Sequence, residues 1–393
     1  MTTAAAETHH APRARVRFRV GDLVRAHGDE YTHLFPTTPL QRRVLERLSR
    51  CRTPALGGFL SSCDVCDYRR VVYNPCRDRH CPSCEGQAAS KWLAQLKEKI
   101  LPGRYFHVVF TLPAELRWLA FSNAALCYGL LLRCAGETLL EVAADPKFLG
   151  AQPGITVVLH TWRRDLGLHP HAHCVVTGGG LTPSGDDWKS SWGERFLAPL
   201  RVLGARFRRR FLRRVARAHK RGLLRFGPGC AELEDPRSFA ALRAEFAQKP
   251  WLVYAKATFG DLDHLLRYLA RYTHRVGISD RRLLEVDEDY VTFATKNGGS
   301  VTVEVFEFLK RFLLHVLPHG FVKIRHYGLF AVASRSRLEQ ARALLQQALP
   351  DPARVEFEPE HDEQPATRCP ACLFGELQVA EFPPIEGLPL PDP

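Results

Sequence analysis

His169-Pro-His171-Ala-His173 sets three imidazoles at alternate positions of a strand-like run, and alternate positions of a β-strand project to one face. Each imidazole needs a hydrogen-bond partner if buried, so three in alternation point to metal binding rather than to core packing. The run Ile155–Trp162 precedes them, joined by a short polar turn. A symmetric turn over Arg163–Leu168 sets His160 opposite His171, and cross-strand partners share a face. His171 and His173 are therefore the first candidate ligands, with His160 as the third and His169 as its competitor. Three imidazoles with an open coordination position suit a catalytic ion that polarises a scissile phosphate. Imidazole admits several transition metals, so Mg2+ or Mn2+ follows from the chemistry rather than from ligand softness.

A second set of reactive groups lies in Leu265-Leu-Arg-Tyr268-Leu-Ala-Arg-Tyr272-Thr-His274-Arg275. At helical spacing Tyr268 and Tyr272 share a face. Leu262, Leu265, Leu266 and Leu269 form the apolar stripe, and the tyrosines sit to one side of it, beside Asp261 and His264. Boundary tyrosines are common packing residues, and only the histidine strand gives these two a chemical reading. A tyrosine oxygen is a competent nucleophile toward phosphorus when a cation draws charge from the phosphate. Arg267, Arg271 and Arg275 add phosphate-binding charge.

Six of the twelve cysteines fall between Cys51 and Cys84, in the spacing Cys63-x2-Cys66-x9-Cys76-x3-His80-Cys81-x2-Cys84. Two Cys-x2-Cys knuckles at this separation can wrap one tetrahedral zinc ion. Cys63, Cys66, Cys81 and Cys84 are the best set. Cys76 and His80 could replace members of it, or build a second site with Cys51. A closed four-ligand site is structural. Cys369-x2-Cys372 is only half a site, and a weak signal for metal.

Net charge is +13 with a pI near 9.3, which favours a polyanionic partner. The final stretch from Pro350 holds ten acidic and two basic residues and ten of the 27 prolines, so the cationic excess belongs to the rest of the chain and the tail should be poorly ordered. Arg206, Arg210, Arg213, Arg217 and Lys220 recur at alternating steps of four and three, one cationic stripe beside the apolar face of Leu203, Phe207, Phe211 and Val215. Such stripes are usually solvated faces; in so basic a chain a DNA-backbone contact is the favoured reading. No apolar run reaches the length of a membrane span, and the N-terminus lacks a signal peptide's apolar block. A cytoplasmic protein is expected.

Four units are expected: a polar arm over residues 1–35, a zinc-binding domain over 36–101, a catalytic domain over 102–349 and an acidic Pro-rich tail over 350–393. Helices are expected at Pro39–Ser49, Gly86–Ile100, 114–145, Gly193–Arg221, Asp235–Gln248, Asp261–His274, Val305–Val316 and Ser336–Leu349. Strands are expected at Tyr105–Thr111, Ile155–Trp162, His169–Thr177, Trp251–Thr258, Leu283–Val286, Tyr290–Thr295 and Ser300–Val303, the last two joined at Asn297-Gly298. The class is α+β with an antiparallel sheet.

Taken in order, these motifs resemble the transposases of insertion sequence family 91, HUH-class enzymes related to rolling-circle replication initiators. The resemblance spans roughly residues 40–335. It is carried by Cys51-Arg-Thr-Pro-Ala-Leu-Gly-Gly58, Asn74-Pro-Cys-Arg-Asp-Arg-His-Cys-Pro82, Phe110-Thr-Leu-Pro113, His160-Thr-Trp162, His169-Pro-His-Ala-His173 with Gly178-Gly-Gly180, Tyr268-Leu-Ala-Arg-Tyr-Thr-His-Arg275 and Phe312-Leu-Leu-His-Val-Leu-Pro318. It implies a ferredoxin-like antiparallel sheet carrying His171 and His173. It also implies a tyrosine, Tyr268 or Tyr272, that attacks single-stranded DNA at the element's ends and leaves a 5′-phosphotyrosine and a free 3′-OH, with no nucleotide cofactor. Such an enzyme would work in the bacterial cytoplasm, nucleoid-associated when on DNA. Two positions depart from the pattern: Phe59 stands where His is usual, and Asp280 where Asn is expected. The rivals are a replication initiator or relaxase with the same chemistry, and a non-catalytic zinc-ribbon DNA-binding regulator.

Overall fold

The computed structural model describes residues 18–84, 96, 99–191, 198–257, 277–348 and 368–385. Its helices are α1 (Val20–Leu34), α2 (Pro39–Ser49), α3 (Arg117–Ser122), α4 (Ala124–Ala144), α5 (Leu200–Lys220), α6 (Pro236–Gln248), α7 (Val305–Leu313) and α8 (Arg335–Ala348). Its strands are β1 (Gly58–Cys63), β2 (Arg69–Tyr73), β3 (Tyr105–Thr111), β4 (Gly154–Trp162), β5 (Leu168–Thr177), β6 (Gly179–Leu181), β7 (Trp188–Ser190), β8 (Val253–Ala257), β9 (Leu283–Val286), β10 (Tyr290–Ala294), β11 (Ser300–Glu304), β12 (Ile324–Gly328) and β13 (Leu377–Phe382).

The central sheet runs β12-β4-β5-β3-β8, antiparallel throughout. The strand alternation that exposes the histidines also buries their neighbours. Phe106, Val108 and Phe110 of β3, Ile155, Val157 and Leu159 of β4, and Ala172, Cys174 and Val176 of β5 pack into one core with α4 and α5. That face is closed by the apolar sides of the two helices, Leu131, Leu132, Ala135 and Leu139 from α4 and Leu203, Phe207 and Phe211 from α5. Gly136 permits the seal: a Cβ there would stand 2.6 Å from the Tyr327 ring. The opposite face carries the histidines. At its far end it is covered by α8, through Leu338, Ala341 and Leu345 against Tyr105, Val175 and Phe330.

A second core joins distant parts of the chain. Val20, Leu23 and Val24 of α1 and Val44, Leu45 and Leu48 of α2 meet Phe308, Leu309 and Phe312 of α7 and the sheet β11-β10-β9. Thr38 caps α2 in a reciprocal box with Gln41. The polar arm expected over residues 1–35 is therefore corrected: from Val20 it is an amphipathic helix, whose apolar positions need this distant core to pack against. Asp280 reaches the start of that helix, accepting from the Val20 N–H at 3.0 Å and from the Ser83 hydroxyl.

Burial pushes the Asp280 carboxyl above the usual aspartate range, the two hydrogen bonds only partly offsetting it. A raised acid pKa in the folded state means that stability falls as pH rises from the ordinary aspartate value, about 3.9, through the folded one. Asp280→Asn keeps an acceptor for Val20 and a donor for Ser83 without the buried charge. Thermal melts are expected to show the variant matching wild type near pH 4 and exceeding it near pH 7; a deficit at pH 7 would refute this.

The tail also departs from expectation. Residues 368–385 are ordered, and β13 pairs with β1 along its whole length, from Gly58↔Phe382 to Cys63↔Leu377. Net composition misled here, because the acidic and proline residues flank a short segment that supplies its own strand and knuckle. Among the described residues no helix is long and apolar enough to cross a membrane.

Candidate metal centres and active site

The β4–β5 hairpin sets His160 opposite His171, as expected, and Val158 opposite His173, although next to the turn Trp162 pairs with Leu168 and the register shifts between Trp162 and His160. The ligand atoms of His160, His171 and His173 all lie within 4.8 Å of one another. His169 is not in this group; its carbonyl oxygen instead accepts from His171 Nδ1 at 2.6 Å. That bond places the His171 proton on Nδ1 and leaves Nε2 with its lone pair, as the outer partner of a metal-bound histidine does. A residue that sequence reasoning passed over is the hydrogen-bond partner of His173. His107 on β3 stacks on His173 with ring centroids 5.0 Å apart, and its Nε2 lies 2.7 Å from His173 Nδ1. Burial pushes His107 and His171 down to about 4, and His173 well below the ordinary imidazole range. His169 is lowered too, by burial and then by Arg163. Neutral imidazoles keep the lone pairs that a cation needs, so the set fits a divalent ion.

The far end of this hairpin is anchored elsewhere. Leu166, at φ 61°, is fully buried in the second core. The buried His315 donates from Nε2 to the Leu166 carbonyl at 3.0 Å and accepts on Nδ1 from the Thr161 hydroxyl at 3.1 Å. Arg311 and Arg282 donate to the carbonyls of Asp165 and Arg164. On the sheet's histidine face, β8 presents the exposed Tyr254 and Lys256, beside Val109 and His107 of β3. Tyr268 and Tyr272, with Arg267, Arg271 and Arg275, lie outside the described residues.

The cysteines form two tetrads rather than the preferred single set, one of them the second site allowed for Cys51 and Cys76 but without His80. Cys51, Cys76, Cys81 and Cys84 make the first, and Cys63, Cys66, Cys369 and Cys372 the second. The preferred set, Cys63 with Cys66, Cys81 and Cys84, is corrected by the β1–β2 hairpin. Gly58 pairs with Tyr73 at one end and Cys63 projects at the other. The intervening strand of six residues spans roughly 17–20 Å, so the two knuckles cannot share an ion. In the first tetrad Sγ–Sγ distances are 3.5 Å for Cys51–Cys84 and Cys51–Cys81, and 3.8 Å for Cys76–Cys84. A tetrahedron with Zn–S bonds of about 2.3 Å has edges of about 3.8 Å, whereas a disulfide is about 2.05 Å. The spacing suits a metal. Hydrogen bonds from Cys51, Cys76 and Cys81 hold Cys84 far below the ordinary thiol range, while the same cluster pushes Cys81 up. His80 is not a ligand: its Nδ1 bonds Asp78 Oδ1 at 2.9 Å and its Nε2 accepts from the Leu317 N–H at 3.1 Å. It fastens the cysteine loop to the segment after α7. Both tetrads are complete without residue 59, so the departure at Phe59 removes no ligand.

The cationic stripe on α5 divides in two. Arg206 pairs with Glu141 and Asp145 of α4 and its C-cap, Arg210 with Glu137 and Glu141, and the neighbouring Arg214 with Glu137 at 2.6 Å. Arg206 and Arg210 are thus withdrawn from the expected DNA-contacting set, because α4 places carboxylates against them. Arg213, Arg217 and Lys220 remain exposed. Arg210→Ala is expected to lower stability by up to about 1 kcal/mol and to leave the salt dependence of DNA binding unchanged. Arg213→Ala and Arg217→Ala should each reduce the log K against log[salt] slope by about one at near-constant stability. Filter binding across a salt series, with thermal melts, separates the two; equal slopes for all three variants would remove the helix from the DNA interface.

Comparison with known proteins agrees with this arrangement. A family described as "Transposase zinc-binding domain" matches residues 23–112, which contain the whole first tetrad, and one described as "Putative transposase" matches residues 154–337, which contain the histidine hairpin. A "Putative transposase y4qJ" of Sinorhizobium fredii is 41% identical, over 96% of this chain and 98% of its own length. The "Transposase for insertion sequence element IS801" of Pseudomonas savastanoi pv. phaseolicola is 27% identical over 74% of this chain and 70% of its own. No solved structure matches. With a zinc-binding module joined to a histidine-bearing antiparallel sheet, and a relative matching nearly end to end, the chain belongs to the transposases of insertion sequence family 91.

Proposed function

We propose that this transposase nicks and rejoins single-stranded DNA at the ends of its element by tyrosine transesterification, driving rolling-circle transposition. The observation that carries the reading is the convergence of three imidazoles, His160, His171 and His173, on the face of an antiparallel sheet opposite the α4–α5 core. His160, His171 and His173 would hold Mg2+ or Mn2+, which when bound supplies Lewis acidity toward the scissile phosphate. The chain's own groups do the rest. The His169 carbonyl holds His171 in its orientation and tautomer, and His107 holds the orientation of His173.

In the transfer itself, the hydroxyl of Tyr268 or Tyr272 loses its proton and its oxygen bonds to phosphorus. The 3′-oxygen leaves with the bonding pair and takes up a proton, giving a 5′-phosphotyrosine and a free 3′-OH. Attack by a second 3′-OH reverses the exchange on the target strand. One phosphodiester replaces another, so no nucleotide is consumed. Lys256 and Tyr254 on the same face, and Arg213 and Arg217 on α5, supply contacts to the DNA backbone. The reaction belongs in the bacterial cytoplasm, at the nucleoid.

The test is incubation of the purified chain with labelled single-stranded DNA from the element's ends and Mg2+ or Mn2+. A denaturing gel should show a covalent protein–DNA band, lost in the Tyr268→Phe, Tyr272→Phe double variant. Retarded DNA on a native gel, with no adduct under either metal, would instead make the chain a zinc-ribbon DNA-binding protein.

A further inference from the structure

We propose that Cys63, Cys66, Cys369 and Cys372 form a second tetrathiolate zinc site, which clasps the C-terminal segment onto the N-terminal ribbon. The matched zinc-binding region ends at residue 112 and the transposase region at residue 337, so neither reaches Cys369 or Cys372.

The geometry repeats that of the first tetrad. Cys63 Sγ lies 3.7 Å from Cys372 Sγ, and Cys66 Sγ 3.7 Å from Cys369 Sγ, close to the edge of a zinc–sulfur tetrahedron of about 3.8 Å. Each half is a Cys-x2-Cys knuckle whose backbone amides point at sulfur. The N–H groups of Val65 and Cys66 donate to Cys63 Sγ at 3.3 and 3.4 Å, and that of Gly375 donates to Cys372 Sγ at 3.3 Å. Donors aimed at sulfur favour the thiolate, the form that binds metal.

The backbone around the second knuckle is shaped to the same end. Cys369 N–H donates to the Gly375 carbonyl at 2.7 Å and Leu373 N–H to the Cys369 carbonyl at 3.0 Å, with Leu373 at φ 63°. Gly375 passes so close to the first knuckle that a Cβ would stand 2.4 Å from Cys63 Sγ. The β1–β13 ladder sets the two knuckles side by side, Cys63 opposite Leu377. Buried apolar contact between the strands is slight: Phe59, Val71, Val72 and Val379 are all exposed. A three-stranded ribbon with so little core needs a further tie, and a metal closing some 300 residues of chain supplies one. Four sulfurs in tetrahedral array suit zinc or iron, and the match of residues 23–112, which include Cys63 and Cys66, to a zinc-binding domain favours zinc.

The experiment is metal analysis of the full chain purified under reducing conditions. Two zinc ions per chain are expected, falling to one in the Cys369→Ser, Cys372→Ser double variant. In parallel, a protease site inserted between residues 352 and 360 of the otherwise wild-type chain is cleaved, and the products are passed over a sizing column. The C-terminal fragment should travel with the body of the protein and separate when a chelator is added. The proposal is overturned by one zinc per wild-type chain, by two ions in the double variant, by iron in place of the second zinc, or by a fragment that separates without chelation. The fragment assay needs no cysteine variant, so misfolding of that variant leaves the test intact.

Discussion

His171→Ala should abolish DNA cleavage, lowering the single-turnover rate at least about 10³-fold, while leaving the thermal midpoint near that of wild type. Losing a cation's grip on the scissile phosphate removes several kcal/mol of transition-state stabilisation, each 1.36 kcal/mol being tenfold in rate. The imidazole sits on the sheet face away from the α4–α5 core, so little packing is lost. The same assay ranks its neighbours. His160→Ala should be as damaging as His171→Ala, because its ligand atom joins the same group, whereas His169→Ala should cost tenfold or less, since it contributes through its backbone carbonyl. His107→Ala belongs between them: it touches no metal position, but it fixes the orientation of His173. Added Mn2+ should rescue His107→Ala in part and His171→Ala not at all. A His169 variant as inactive as His171→Ala would overturn the assignment of His160.

Cys81→Ser should be the most destabilising single change in the chain. Cys51 and Cys81 are almost fully buried in the second core, against α1, α2 and α7. Zinc binding by such sites is worth roughly 10–16 kcal/mol in isolated peptides, as large as the whole stability margin of about 5–15 kcal/mol. Losing one ligand should therefore open the α1–α2–α7 core, exposing residues 20–50 to protease and releasing one zinc. Cys127→Ala supplies the control: a buried thiol of α4 that belongs to neither tetrad should shift the midpoint by only a few degrees. Retention of the first zinc and a wild-type melt in Cys81→Ser would exclude that tetrad as a structural site.

Elements governed by short-range patterns were readable. The histidine alternation, the turn after Trp162 and the apolar periods of α2 and α5 follow from residues a few positions apart, whereas the helical region expected over 114–145 is broken at Asn123 into α3 and α4. The His160–His171 pairing was readable from the short hairpin, although the symmetric turn set Trp162 opposite His169 and the strands instead pair Trp162 with Leu168 and shift register before His160. Long-range pairing was not readable. Which cysteine knuckles meet depends on a hairpin that carries Cys63 away from Cys76 and on a strand more than 300 residues later. His107 lies in a strand whose pairing with β5 spans 66 residues to His173, and nothing local sets that register. The stripe on α5 had the right helical phase and an incomplete reading, since the carboxylates of α4 that engage Arg206 and Arg210 cannot be placed from spacing alone. Asp280 stands beside α1 because two chain segments 260 residues apart share a core.

The tip of the β4–β5 hairpin has a mechanical consequence. Leu166 is embedded in the core that also holds the zinc ligands Cys51 and Cys81, while His160 and His171 stand a few residues back along the same two strands. Paired strands resist bending along their length, so the hairpin acts as a strut between the core around Cys51 and Cys81 and the histidine group. A displacement of that core would pass along the hairpin to His160 and His171. A single pair of strands in this way ties the cysteine-bearing core to the histidine group.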